Sequence, residues 1–143
     1  MPWIAKFPGV PESASAARRL VREALGDDPR AADAELIISE LVTNAALHSK
    51  SGQGGSVWVE LRYSPACVRI EVADEGSRDG FPAHRAPDEL SNFGRGLMLV
   101  DSVADSWGAH NDGDDLRCVW AELTSTAEEQ SHTQNRLPIS RGV

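Results

Sequence analysis

The sequence predicts an α+β fold, a two-layer sandwich with helices on one face of a mixed, mostly antiparallel sheet. Three observations carry this. Residues 57–63 and 68–73 alternate apolar with polar around a Ser64-Pro65-Ala66 turn, the pattern of a hairpin that buries one face. Residues 12–25 instead repeat their apolar positions every 3.6 residues, as amphipathic helices do, and the Asp28-Pro29 restart opens a second helix to about His48. The order βααββ, a loop, then αββ segregates helices from strands, as in two-layer α+β domains.

The elements follow in order. Residues 3–7 read as a short strand stopped by Pro8-Gly9. The first helix presents Ala14, Ala17, Leu20, Val21, Ala24 and Leu25 on one side and stops at Gly26. Asp28-Pro29 restarts a helix, a capping acid followed by proline at the first helical position, and that helix runs to His48. A Ser/Gly-rich turn, 49–55, leads into the hairpin. Residues 74–92 form a loop long enough in a small domain to be functional or mobile. Gly94-Arg95-Gly96 opens a third helix with Leu97, Leu99, Val100 and Val103 on its apolar face. A strand is expected at 105–109, an acidic turn at 110–115 and a last strand at 116–123. From Thr126 the chain is polar and aperiodic, which assigns one domain to residues 1–125 and a flexible tail to 126–143.

Composition narrows the class of function. A net charge of −8 argues against binding the nucleic-acid backbone, which needs Lys and Arg to neutralise phosphates. No apolar run approaches a membrane span and no secretory leader is visible, so the expected location is the cytoplasm. Arg18, Arg19 and Arg22 read as a solvated helix face. Cys67 and Cys118 read as small buried thiols in strands, with no metal-ligand spacing to a histidine.

Three polar features remain. Glu40, Asn44 and His48 sit at i, i+4 and i+8 and so share one stripe of an otherwise apolar helix. Asp74-Glu75-Gly76 stands where a strand gives way to a loop, and Gly94-Arg95-Gly96 where a loop becomes a helix. Taken singly each has a plain reading: a solvated face, a turn with Gly76 at positive φ, a helix start. Their order and spacing suggest more. A helix N-terminus rich in glycine suits phosphate. A carboxamide oxygen can ligate Mg²⁺, and a carboxylate one turn away can deprotonate a nucleophile. A separate buried Asp can accept the exocyclic amine of adenine. These are the parts of an ATP site.

Glu40-x-x-x-Asn44-Ala-x-x-His48, Asp74-x-Gly76 and Gly94-x-Gly96-Leu97 resemble the N, G1 and G2 boxes of the GHKL ATPase superfamily. Within it, Ser39–His48, Gly94–Asp101 and Val119–Leu123 are similar to the bacterial anti-sigma factor serine/threonine kinases, actinobacterial members included. The resemblance covers about Phe7 to Leu123 and implies the Bergerat fold. It implies ATP and Mg²⁺ as cofactors, with Asn44 ligating the metal and Glu40 acting as catalytic base toward a protein hydroxyl. Asp74 would read adenine beside Gly76, and Gly94, Arg95, Gly96 and Leu97 would shape the phosphate end. His48 follows the N-box pattern, and Thr124 is expected near the adenine-side Asp. The implied partners are a sigma factor, held inactive, and a STAS-type antagonist, which is phosphorylated; a homodimer is expected by analogy.

The sequence also departs from that family. Arg78 replaces the second glycine of Asp-x-Gly-x-Gly, and Gly80 does not restore the spacing. Asp114-Asp115-Leu116-Arg117 stands where a Gly-Lys pair is common. The alternative reading is therefore a catalytically weak or inactive ATP-binding module that works by partner exchange. A histidine-kinase fragment is disfavoured, because no helical dimerisation segment with a phosphoacceptor His precedes the first strand.

Overall fold

The structure, a computed structural model, describes residues 2–48, 54–76, 95–112 and 116–125, with only the backbone of His48, Arg95, Gly96 and Asp112. Five strands, β1 (Trp3–Pro8), β2 (Ser56–Tyr63), β3 (Cys67–Asp74), β4 (Ser106–Asp112) and β5 (Leu116–Thr124), form one sheet in the order β1-β2-β3-β5-β4. Every pairing among the described residues is antiparallel, so the parallel component expected of a mixed sheet is absent there. Among the described residues three helices, α1 (Ser13–Leu25), α2 (Ala31–His48) and α3 (Arg95–Val103), form the second layer.

The core lies between helices and sheet. Val57, Val59 and Leu61 of β2, Val68, Ile70 and Val72 of β3, and Val119, Ala121 and Leu123 of β5 are buried at alternate positions. They meet Ala14, Ala17, Val21 and Leu25 of α1, Ile37, Ile38, Leu41, Val42 and Ala45 of α2, and Val100 of α3. Each fully buried aliphatic side chain contributes about 1.5–3 kcal/mol, so this seam outweighs any surface pair.

Several boundaries move for identifiable reasons. Gly26 ends α1 at φ +57°, its N–H donating to the Arg22 carbonyl at 2.9 Å. Asp28 does not sit next to the first helical residue: α2 begins at Ala31, whose N–H reaches the Asp28 carbonyl at 2.9 Å. The Asp28 carboxylate instead accepts from the Arg30 backbone N–H (2.8 Å) and from Arg30 Nε (2.9 Å). Its other oxygen accepts from Arg30 Nη2 (2.8 Å) and Tyr63 Oη (3.0 Å). β4 extends through His110, Asn111 and Asp112, which pair with Cys118, Arg117 and Leu116, so the first half of the turn expected at 110–115 is strand, and 113–115 lie outside the described residues. The basic cluster on α1 is not wholly solvated: Arg18 donates to Ser39 Oγ at 2.9 Å and Arg22 pairs with Glu35 at 3.1 Å, tying α1 to α2. Neither cysteine is in a disulfide; Cys118 is buried and Cys67 half-buried. The expected tail, 126–143, and most of the expected loop, 77–92, lie outside the described residues.

Candidate functional site

Chain direction brings the predicted motifs to one end of the sandwich. Arg30 Nη2 also donates to the Ser64 carbonyl at 3.1 Å, so Asp28 and Arg30 together pin the start of α2 to the β2–β3 turn. α2 packs along β3. From Ala31 to Asn44 a helix rises roughly 20 Å, and from Cys67 to Asp74 a strand rises roughly 23 Å. Asn44 therefore arrives at the Asp74 end of β3. α3 packs on α2. Its exit is fixed by the Asp105 N–H donating to the Glu122 carbonyl at 2.9 Å, near the start of β3, so its N-terminus is directed toward the Asp74 end. Carboxamide, buried carboxylate and helix N-terminus thus converge through topology alone.

Glu40 and Asn44 are half-buried, one turn apart on the flank of α2, beside the fully buried Leu41 and Ala45. The Asn44 Nδ2 atom is buried and has no hydrogen-bond partner among the described residues. An unsatisfied buried amide costs free energy; Nδ2 is a donor, so the ligand atom it fits is an acceptor such as a phosphate oxygen, which leaves Oδ1 as the atom that could face a metal. The carboxamide oxygen is the kind of donor that a nucleotide-bound Mg²⁺ takes, and the Glu40 carboxylate one turn away could act as a base beside it. His48 is the last residue of α2.

Asp74 continues the buried alternation of β3 and is 1% exposed. Its Oδ1 accepts from the Gly76 N–H at 2.8 Å, and Gly76 takes φ +84°, which a Cβ would disfavour. The Asp-x-Gly signature is therefore also an Asx turn, the plain structural reading of these residues. The other oxygen accepts from Arg117 Nη2 at 2.8 Å, and Arg117 is equally buried. Burial pushes the Asp74 pKa above the usual carboxylate range, against the opposing pull of the Arg117 charge and the Gly76 N–H.

Arg117 is the site residue that sequence reasoning misses. The signal is in the alternation: Arg117, Val119, Ala121 and Leu123 share one parity, so a helix-facing register of β5 opens with a charge. A buried charge needs a partner, and the register pairs Arg117 with Asp74.

The expectation for Thr124 is corrected. Thr124 lies opposite Cys67, at the far end of β3 from Asp74, because β5 runs antiparallel to β3. Its N–H and hydroxyl both donate to Asp105 Oδ2, at 2.6 and 3.0 Å, and close the α3–β4 connection instead. Arg95 and Gly96 open α3, Leu97 packs against the core, and Gly94 and Arg78 lie outside the described residues. An open groove lined by Ile4, Trp58, Glu60, Glu71 and Cys118 lies on the helix-free face of the sheet, across the strands from Asn44 and Asp74. Among the described residues no group of three or more His, Cys, Asp or Glu side chains is placed to hold a metal, and no helix is long and apolar enough to cross a membrane.

Comparison with known proteins agrees with this fold. The model of the histidine kinase-like ATPase domain matches residues 7–122. A chain of the SiaB–SiaC complex from Pseudomonas aeruginosa superposes with a TM-score of 0.52 at 12% identity, over 86% of this chain and 89% of that one. No curated protein matches by sequence.

Proposed function

The chain belongs to the histidine kinase-like ATPase domain family, and on that premise we propose that it is an ATP-binding anti-sigma factor serine/threonine kinase. The observation that supports this most is the Asn44 Nδ2 donor, buried without a partner among the described residues, on the part of α2 that rises to the level of buried Asp74. Asn44 would ligate Mg²⁺, which supplies charge neutralisation for the phosphates. Glu40, one turn earlier, would accept the proton of an incoming serine or threonine hydroxyl. The N-terminus of α3, with Gly94, Arg95 and Gly96, would offer N–H groups and a positive dipole end to the phosphates. Asp74 would accept the exocyclic amine of adenine. In this reading the protein substrate is a small STAS-type antagonist, and the unphosphorylated antagonist draws the kinase off a sigma factor. The solved neighbour was crystallised with a second protein, which supports a protein partner for this fold. A homodimer and the division into a domain, 1–125, and a tail, 126–143, belong to the same proposal.

A partner-exchange module without kinase activity is favoured by Arg78, which replaces a glycine of the loop after Asp74. Titration of the full chain with Mg-ATP, followed by transfer of labelled γ-phosphate to a copurified antagonist, separates the two. The kinase transfers phosphate and loses transfer, but not nucleotide binding, on Glu40→Gln. The module binds its partner and transfers nothing. Absence of Mg-ATP binding by the wild type defeats the ATP-site reading itself.

A further inference from the structure

We propose that Arg117 is a positioning residue for base recognition: it holds the Asp74 carboxylate as a fixed acceptor for the exocyclic amine of the nucleotide. This rests on the ATP-site reading above, and it concerns a residue outside the motifs that suggested that reading.

The geometry is specific. Arg117 and Asp74 are register partners on β5 and β3, both about 2% exposed at the side chain, with Nη2 and Oδ2 2.8 Å apart. Gly76 N–H fixes the other oxygen at 2.8 Å. An ionised carboxylate has about four acceptor sites; these two bonds occupy one on each oxygen and immobilise the group without exhausting it. An amine arriving from the ligand then meets an acceptor already oriented, and no side-chain freedom is lost on binding.

The same pair governs charge. A carboxyl so deeply buried is pushed toward its neutral form, and a protonated Asp74 would offer the amine a donor at one oxygen. Arg117 is the cation that opposes this. The other charged groups around it are Glu75, next in the chain, which pushes in the same direction as burial. α2, packed on β3, carries Glu40 on the flank it shares with Asn44. From β2 the helix-facing neighbours are Val57 and Val59, which carry no charge. Among the described residues Arg117 is thus the cation in contact with Asp74.

The sign follows. Nucleotide affinity is present while Asp74 is ionised and is lost as pH falls through its pKa. Without the guanidinium that pKa rises further, so affinity is lost at a higher pH. A residue that only filled space would change affinity uniformly and leave the midpoint in place.

The test is calorimetric titration with Mg-ATP and Mg-ADP across the neutral and mildly acidic range, on full-length wild type, Arg117→Gln and Arg117→Lys. The Asp74 carboxyl carbon is followed by ¹³C NMR in the wild type. The expected result is a wild-type affinity midpoint that coincides with the titration of Asp74. That midpoint moves up by about one to three pH units in Arg117→Gln, while Arg117→Lys stays near the wild type. A folded Arg117→Gln with an unshifted midpoint overturns the proposal. So does tighter binding at every pH, which would make Arg117 a competitor of the base. If Arg117→Gln does not fold, the wild-type arm still decides: affinity that stays flat while the Asp74 carboxyl titrates overturns the proposal, and coincident midpoints support it. A wild type that binds no nucleotide at any pH defeats the ATP-site reading and this role together, whereas an unshifted midpoint defeats this role alone.

Discussion

Replacing Asn44 with alanine is predicted to stabilise the protein alone and to abolish its stabilisation by Mg-ATP. The residue occupies an interior position of α2, where alanine is the better helix former by about 0.6 kcal/mol. Its Nδ2 is buried without a partner among the described residues, and removing an unsatisfied buried amide relieves about 1–3 kcal/mol. Loss of side-chain packing offsets part of that, since Asn44 is half-buried. The net expectation is a gain of about 1 kcal/mol, or about 3–5 °C in melting temperature for a domain of this size. The liganded comparison reverses the order. At a Mg-ATP concentration about a hundredfold above Kd, binding adds about 2.7 kcal/mol to the wild type and nothing to Asn44→Ala. The wild type should therefore melt below the variant without nucleotide and above it with nucleotide. Chemical denaturation of both proteins, with and without Mg-ATP, gives all four values. A variant less stable than the wild type by 1 kcal/mol or more in the absence of nucleotide would refute the reasoning, because Asn44 would then be a structural residue. So would a variant that keeps the full nucleotide-dependent increment.

Two further predictions follow from contacts away from that amide. Asp28 is tied to Arg30 and Tyr63, and its carboxyl is held well below the usual carboxylate range, first by the Arg30 side chain. Its stabilising contribution is fully present above the unfolded pKa of about 3.9 and fades as pH falls below it. Asp28→Asn should cost about 2–3 kcal/mol at pH 7, and the gap to the wild type should close below about pH 4 in urea melts; a gap independent of pH would contradict the ion-pair account. Thr124→Val removes the hydroxyl bond to Asp105 and should cost about 1 kcal/mol with no change in the nucleotide dissociation constant; a tenfold loss of affinity would return Thr124 to the base pocket.

The parts of the fold legible in the sequence are those with a local period. Val57, Val59 and Leu61, then Val68, Ile70 and Val72, announce their own burial by alternation, and the structure buries all six. The apolar stripes of α1 and α2 are equally self-contained. What the sequence obscures is chemistry that is local but ambiguous. Asp28-Pro29 satisfies the rule for a helix start, yet the carboxylate bonds two residues ahead and reaches Tyr63, so the helix begins later. His110 to Asp112 carry turn-like residues and still form strand, because β5 offers them a complete ladder. Pairing overrides propensity where a partner strand is present.

Across strands, neighbours become legible only once register is known, and there the site reading divides. Asp74 and Arg117 are 43 residues apart, and nothing near either announces the other. Thr124 and Asp74 look comparably close on paper, since each stands at the end of a strand in the same half of the chain. Antiparallel pairing separates them by the length of β3, and brings in Arg117 from the opposite end of β5. The motif residues on α2 escape this difficulty, because Glu40 and Asn44 lie on one helix and their spacing is fixed by it. The sequence can therefore identify the residues that would face metal and incoming hydroxyl from a single element. The base end is assembled from two strands, and its composition has to be read from the register that joins them. A charge at a helix-facing position of β5, with a carboxylate at the matching position of β3, is the pattern to seek in related sequences, and a Lys at the position of Arg117 would preserve it.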